Sequence, residues 1–174
     1  MSKPTLYLML GYPGAGKTTV SELISKVTGA VHLNSDQFRL HMFKEPLGIS
    51  ETEHEYMYKM LDHITEQTLK SGKSVIYDAN LNRHAHRQEK YDICKRTGAA
   101  AKLIWVKTDA DEARKRATVE AAEHPEHRPF GNMDPDTFDR LVNQMEPPRD
   151  NETVIIVDGS RISEESIKNA ITQD

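Results

Sequence analysis

Disulfides, membrane spans and an excess of positive charge are all excluded by what this sequence of 174 residues lacks. Its only cysteine is Cys94, so no disulfide can form within the chain, which is typical of proteins in a reducing compartment. No apolar run approaches the length of a membrane span. The short apolar run Thr5–Leu10 has no small-residue cleavage site after it, which argues against a signal peptide. We therefore expect a cytoplasmic protein with no membrane partner.

Positive charge and aromatic residues are also scarce. The 23 Lys and Arg residues are outnumbered by 27 Asp and Glu residues, which gives a net charge of −4. No overall basic field attracts nucleic acid, although a local basic groove remains compatible with this charge. Aromatic residues make up 6% of the chain and show no pattern that suggests stacking platforms for bases. The length predicts a single domain over residues 1–174.

Short apolar segments alternate with amphipathic ones along the chain, without internal repeats. The near-continuous apolar run Thr5–Leu10 is typical of a strand buried on both faces of a parallel sheet. We predict strands at residues 5–10, 30–34, 74–80, 100–107 and 153–158, and helices at about 17–28, 35–43, 51–70, 83–97, 110–123, 135–145 and 163–172. The alternation predicts an α/β fold with a parallel sheet, helices on both faces and right-handed crossovers.

Polar residues mark the starts of several predicted helices. Ser50 and Glu53 form a capping box, and Asp109 and Asp134 are suited to the capping position. Asn82 is predicted to cap the helix that ends near residue 97. The helix that Ser50 begins has apolar residues that we expect in the core, with the lining of a binding site as the alternative: Tyr56, Met57, Tyr58, Met60, Leu61 and Ile64.

The segment between the first strand and the first helix carries the most specific motif. Residues 11–18, GYPGAGKT, fit the pattern G-x-x-x-x-G-K-[ST], whose chance frequency in such a chain is on the order of 1 in 100. Its glycines let the backbone N–H groups point at a phosphate, and the following helix directs its positive end at the same anion. Lys17 can reach the β- and γ-phosphates, and the Thr18 hydroxyl can bind Mg²⁺. The residues predicted to bind ATP are Gly11, Pro13, Gly14, Ala15, Gly16, Lys17, Thr18 and Thr19.

Polar residues follow the second and third predicted strands. Ligands of such sheets bind beyond the carboxyl ends of the strands. Asp36, in the first turn of a helix, can accept a proton from an attacking hydroxyl or help to hold Mg²⁺, with an ordinary capping role as the alternative. Arg39 lies on the same helical face and can bind an acidic group of the acceptor or pair with Asp36. Asp78 can lie near Mg²⁺ or only cap its strand, and Asn80 can orient the acceptor.

The segments GYPGAGKTT, LNSDQFR and VIYDANLNR, in this order and at these spacings, resemble a group of P-loop kinases. The group includes polynucleotide 5′-kinases, zeta-toxin-like sugar-nucleotide kinases and chloramphenicol phosphotransferase, and the polynucleotide kinases are the most similar at Asn34, Asp36 and Arg39. The resemblance implies that Asp36 is the general base, that Arg39 contacts the substrate, and that Lys17 and Thr18 contact ATP and Mg²⁺. It also implies a three-layer P-loop NTPase fold with a five-stranded sheet in the order 2-3-1-4-5 and a mobile lid that carries an arginine.

The lid is expected at about residues 109–149. An arginine that closes over the β- and γ-phosphates stabilises transition-state charge. Arg114 and Arg116 are two residues apart and face different sides of a helix, so we favour Arg116 and then Arg128. The segment holds ten acidic and six basic residues, which makes it a poor surface for a nucleic-acid backbone.

Together these features predict an ATP- and Mg²⁺-dependent kinase that phosphorylates a hydroxyl of a small-molecule or nucleotide-like acceptor. A polynucleotide 5′-hydroxyl kinase is the alternative. A nucleotide-dependent switch or binding module is less favoured, because it does not need the pair formed by Asp36 and Arg39.

Overall fold

Five parallel strands form the centre of the computed structural model, which describes residues 3–172. They are β1 (Thr5–Leu10), β2 (Val31–Asn34), β3 (Val75–Asp78), β4 (Ala100–Lys107) and β5 (Val154–Asp158). Their order in the sheet is β2-β3-β1-β4-β5, and every neighbouring pair is parallel. This arrangement confirms the predicted P-loop NTPase fold.

The helices follow the predicted alternation. They are α1 (Lys17–Thr28), α2 (Ser35–Met42), α3 (Glu51–Lys70), α4 (His84–Thr97), α5 (Ala110–Thr118), α6 (Pro135–Asn143) and α7 (Glu164–Thr172), with a 3-10 turn at Ala121–Glu123. Within residues 3–172, none of them has the length and hydrophobicity needed to cross a membrane.

The central strand β1 is buried on both faces. Leu6, Leu8 and Leu10 belong to the core that includes residues of α3 and α4. Tyr7 and Met9 point the other way, into the core that includes residues of α1 and α7. Successive side chains of a strand face opposite sides of the sheet, so helices on both sides require an unbroken apolar run.

The strand register brings the predicted functional segments to one edge of the sheet. Asn34 at the end of β2 pairs with Asp78 at the end of β3. Leu8 of β1 pairs with Tyr77, so Gly11 follows β1 at the same edge. Because β3 lies beside β1, Asp78 ends its strand at the edge of the sheet that also holds the phosphate loop.

The capping predictions hold at three helices and fail at one. Ser50 forms both halves of its capping box with Glu53, and Asp109 and Asp134 accept hydrogen bonds from the first-turn amides of α5 and α6. Asn82 does not cap α4, which begins at His84. The Asn82 side chain accepts a hydrogen bond from the Gly11 amide instead.

Two further predictions are wrong. The helix expected to reach Glu123 ends at Thr118, before the 3-10 turn. Met60 and Tyr56 do not lie in the core, because 48% and 62% of their surfaces are exposed. The buried positions of α3 recur every four residues, at Met57, Leu61, Thr65 and Leu69.

Candidate functional site

The phosphate loop has a backbone that depends on glycine. Gly14 has a φ of 80°, and a Cβ there would lie 2.1 Å from the carbonyl oxygen of Ala113. Gly16 has a φ of 99°, and a Cβ there would lie 2.6 Å from Ile162 Cδ1. Any larger residue would be strained at both positions. Glycine at these positions therefore lets the loop lie directly against α5 and the segment after β5.

Lys17 extends back across the loop. Its Nζ donates hydrogen bonds of 2.9 Å to the carbonyl oxygens of Gly11 and Tyr12. Burial and the positive charge of Arg128 lower the pKa of Lys17 to about 8, against the opposing effect of Asp78 and Asp36. A partly buried cation whose hydrogen bonds go to two carbonyl oxygens is well suited to an anionic ligand.

Asp78 lies at the end of β3 with 4% of its surface exposed. Its Oδ2 accepts a hydrogen bond of 2.8 Å from Asn34 Nδ2 and lies 2.9 Å from His32 Nε2. Among residues 3–172, no hydrogen bond reaches the other carboxylate oxygen, Oδ1. Asn34 also caps α2, because its Oδ1 accepts from the amide of Gln37. Asp78 is thus fixed by one oxygen and keeps the other for a ligand.

Asp36 and Arg39 lie on α2, which begins directly after β2 at the edge of the sheet where Asp78 lies. Burial raises the pKa of Asp36, although the positive charge of Arg39 opposes the rise. The guanidinium carbon of Arg39 lies 5.8 Å from the ring centre of Phe130, in cation–π range. Within the described residues, its buried Nε has no hydrogen-bond partner. A guanidinium N–H without a partner needs an acceptor from a ligand or from water.

The three candidate arginines have different environments. Arg114 pairs with the exposed Asp139. Arg116 donates to Glu112 Oε1 at 2.9 Å and to the carbonyl oxygen of Gly159 at 3.1 Å. Arg128 is partly buried, and burial lowers its pKa while Asp36 and Asp78 oppose that change.

One cavity of about 1220 Å³ joins the candidate side chains described above, with the exception of Arg114. Pockets for small ligands usually have volumes of roughly 300–1,000 Å³, so this one has room for a nucleotide and a second substrate. Gly11 and Ala15 are buried and are not part of the cavity wall. The predicted site residues that line it are Pro13, Gly14, Gly16, Lys17, Thr18, Thr19, Asp36, Arg39, Asp78, Asn80, Arg116 and Arg128.

Some residues of the wall were not identified from the sequence. His54 and Tyr58 of α3 line the cavity near Arg39, with their ring centres 4.8 Å apart. Burial lowers the pKa of His54, and the charges of Arg39 and His86 lower it further. The sequence left the lining of a binding site as an alternative for Tyr58, but it contained no signal for His54.

The donor atoms present fit a nucleoside triphosphate with Mg²⁺. The loop amides, the helix start and Lys17 can bind phosphate oxygens. Thr18 offers a hydroxyl and Asp78 offers Oδ1, and oxygen atoms are the ligands that Mg²⁺ prefers.

Comparison with known proteins assigns the family. A family model described as an AAA domain matches residues 6–148. The chain belongs to this family. The match covers the phosphate loop, α2, the end of β3 and both cavity-lining arginines of the expected lid. Together with the structural neighbours below, it confirms the resemblance to P-loop kinases.

Solved structures share the fold of this chain over nearly its whole length. A protein of Chloroflexus aurantiacus, described as a candidate kinase, is 22% identical with a TM-score of 0.76, covering 99% of this chain and 98% of its own. The APS kinase CysC of Mycobacterium tuberculosis, solved with AMPPNP and APS, is 14% identical with a TM-score of 0.66, covering 99% and 98%. No curated protein has a significant match to the sequence.

A chain of the Pnkp1/Rnl/Hen1 RNA repair complex is also similar. It is 24% identical with a TM-score of 0.69, and the match covers 83% of this chain. The match covers only 44% of the other chain. At this identity the likeness shows a shared fold.

Proposed function

We propose that this protein is an ATP-dependent kinase that transfers the γ-phosphoryl group to a hydroxyl of a small-molecule or nucleotide-like acceptor. The observation that carries the proposal is that one cavity contains both a phosphate loop with Lys17 and the carboxyl group of Asp36. A nucleotide-binding module needs the first feature, but only a transferase needs the second.

The donor side is formed by the phosphate loop. Its amides and Lys17 bind the β- and γ-phosphates, while the Thr18 hydroxyl and Asp78 would hold Mg²⁺. The ion, when bound, neutralises charge on the phosphates. Asn34 keeps Asp78 in position through the hydrogen bond to Oδ2.

Asp36 acts as the general base. It takes the proton of the acceptor hydroxyl as that oxygen bonds to the γ-phosphorus, and the bond from the γ-phosphorus to the β-phosphate oxygen breaks to release ADP. A raised pKa makes Asp36 a stronger base than an ordinary aspartate. Arg39 binds an acidic group of the acceptor, and Asn80 helps to orient it.

We favour Arg128 over Arg116 as the arginine that stabilises the transition state. Arg128 interacts electrostatically with Lys17, Asp36 and Asp78. The guanidinium of Arg116 is held by Glu112 and Gly159, and it would have to leave both to reach the phosphates.

The general base is tested with Asp36→Asn. The amide keeps the size of the side chain but cannot accept the proton, so transfer should fall by about 10²–10⁴-fold, while calorimetry should show unchanged ATP affinity. Asp150→Asn, at an exposed turn, is the matched control and should behave as the wild type. Undiminished transfer by Asp36→Asn would remove Asp36 from the mechanism.

The acceptor class is tested by incubation with γ-labelled ATP and separate sets of sugars, nucleosides and 5′-OH oligonucleotides. We expect label on a small alcohol or nucleoside. A 5′-polynucleotide kinase is the second candidate, supported by the structural match to the RNA repair complex. Label found only on the oligonucleotide would make polynucleotide 5′-kinase the function. ATP hydrolysis that none of the acceptors accelerates would favour a nucleotide-dependent switch.

A further inference from the structure

Asn82 connects the phosphate loop with two other segments of the chain. It is buried, with 4% of its surface exposed. Its side-chain Oδ1 accepts a hydrogen bond of 3.3 Å from the amide of Gly11, the first residue of the loop. Its backbone carbonyl oxygen accepts a hydrogen bond of 2.8 Å from the amide of Glu146, which follows α6. Its own amide donates to Asn80 Oδ1 at 3.2 Å.

A buried ion pair holds this junction in place. Arg87 of α4 is fully buried and pairs with Glu152 through Nε at 2.7 Å and Nη2 at 3.0 Å. Its Nη1 donates to the carbonyl oxygens of Leu81, Asn82 and Glu146. One guanidinium thus fixes the backbone on both sides of the contact between Asn82 and Glu146.

Gly11 needs a defined partner for its amide. It is buried, has a φ of 151°, and a Cβ there would lie 2.6 Å from the carbonyl oxygen of Val106. A buried N–H without an acceptor destabilises the folded state, because its hydrogen bond to water is lost and not replaced. Asn82, 71 positions along the chain, supplies that acceptor.

We propose that Asn82 is a positioning residue that keeps the phosphate loop in its nucleotide-binding conformation, and that Arg87 and Glu152 hold Asn82 for this purpose. The proposal rests on the nucleotide site of the proposed function but not on the acceptor. Without the Asn82 oxygen, a smaller fraction of molecules has the competent loop. The apparent Kd for nucleotide rises in inverse proportion to that fraction, because it equals the Kd of the competent form divided by the fraction.

The first test is calorimetric titration of ADP into Asn82→Ala. We expect Kd to rise about tenfold at a temperature at which circular dichroism shows the variant to be folded. Asn169→Ala, an exposed position on α7, is the matched control and should bind as the wild type does. A Kd for Asn82→Ala equal to that of the wild type overturns the proposal.

The second test follows hydrogen exchange of the Gly11 amide by NMR without nucleotide. The exchange should accelerate in Asn82→Ala, while the amide of Leu8 in β1 keeps its protection. Asn82→Asp retains an acceptor oxygen and should restore slow exchange at Gly11. Equal exchange at Gly11 in the wild type and Asn82→Ala contradicts the proposal. A wild type that binds ADP but phosphorylates no acceptor would overturn the kinase assignment and leave this proposal intact.

Discussion

At the scale of single residues, Lys17 has an unusual environment for a lysine. Its amine is partly buried and donates to two backbone carbonyl oxygens, while the nearby Arg128 adds a second positive charge. Burial and this charge lower its pKa to about 8, so the lysine loses its proton just above neutral pH. A bound triphosphate would stabilise the charged form and raise the pKa again.

Nucleotide binding should therefore take up a proton at alkaline pH. At about pH 9 most molecules have a neutral Lys17, and binding of ATP should approach an uptake of about one proton. At about pH 7 Lys17 is already charged, and its contribution should be small. Calorimetry in two buffers of different ionisation enthalpy measures the uptake. Lys73→Met, at an exposed lysine, should leave it unchanged, and zero uptake at the higher pH would contradict the assigned role of Lys17.

The residues of the loop could be predicted because the motif is contiguous and each of its glycines adopts a positive φ that the loop itself requires. Asn82 could not be predicted in the same way. Its position before α4 is typical of a helix cap, yet its side chain bonds to Gly11, 71 positions away. A tertiary hydrogen bond of this kind leaves no periodic or local signal in a single sequence.

At the scale of secondary-structure elements, a buried ion pair ties α4 to the segment before β5. Side chains of Arg87 and Glu152 are 0% and 1% exposed. The hydroxyl of Tyr91 donates to Glu152 Oε1 at 2.6 Å. Burial opposes the ionisation of Glu152, but the hydrogen bonds from Arg87 and Tyr91 outweigh it and hold the pKa at about 2. The pair should therefore contribute to stability only while Glu152 is ionised.

Removal of one partner should destabilise the fold strongly. Arg87→Met leaves the carboxylate of Glu152 buried without its counter-charge, and we expect the free energy of unfolding in urea to fall by about 3–5 kcal/mol. The exposed Arg83, changed to Met, is the matched control and should alter it by less than about 0.5 kcal/mol.

The same pair predicts a pH dependence. The folded pKa of Glu152 is depressed, so its contribution is present above the unfolded pKa of about 4.3 and is lost as the pH falls toward 2. The loss of stability over this range should be smaller in Glu152→Gln than in the wild type. If the stability of the two proteins fell equally over this pH range, the ion pair would not stabilise the folded state.

Element boundaries could be predicted where a local signal exists. Ser50, Asp109 and Asp134 marked their helix starts correctly, since capping depends on neighbouring residues. The packing of α5 against the phosphate loop could not be foreseen. It depends on the small residues Ala113 and Ala117, which are both fully buried and let the helix backbone approach Gly14.

At the scale of the whole molecule, the alternation of strands and helices predicts the parallel sheet, and the resemblance to P-loop kinases supplies its strand order. Charge then distinguishes the candidate acceptors. The expected lid, residues 109–149, holds ten acidic and six basic residues, and the whole chain has a net charge of −4. Several positively charged groups nevertheless line the cavity, among them Lys17, Arg39 and Arg128. These cations can bind the phosphates of a compact substrate inside the cavity, whereas an extended nucleic-acid backbone needs a basic surface that the acidic lid does not provide.

Binding of a fluorescent 5′-OH oligonucleotide, followed by anisotropy, should therefore be weak and nearly independent of salt. A protein that neutralises six to ten phosphates loses roughly 10³–10⁵-fold in affinity between about 50 and 200 mM salt, because each contact releases counterions. With an acidic lid we expect few such contacts and little change. ATP affinity measured over the same salt range is the control for the nucleotide site. Tight binding at low salt with a steep salt dependence would instead show a basic track outside the cavity, and it would make the polynucleotide kinase the better assignment.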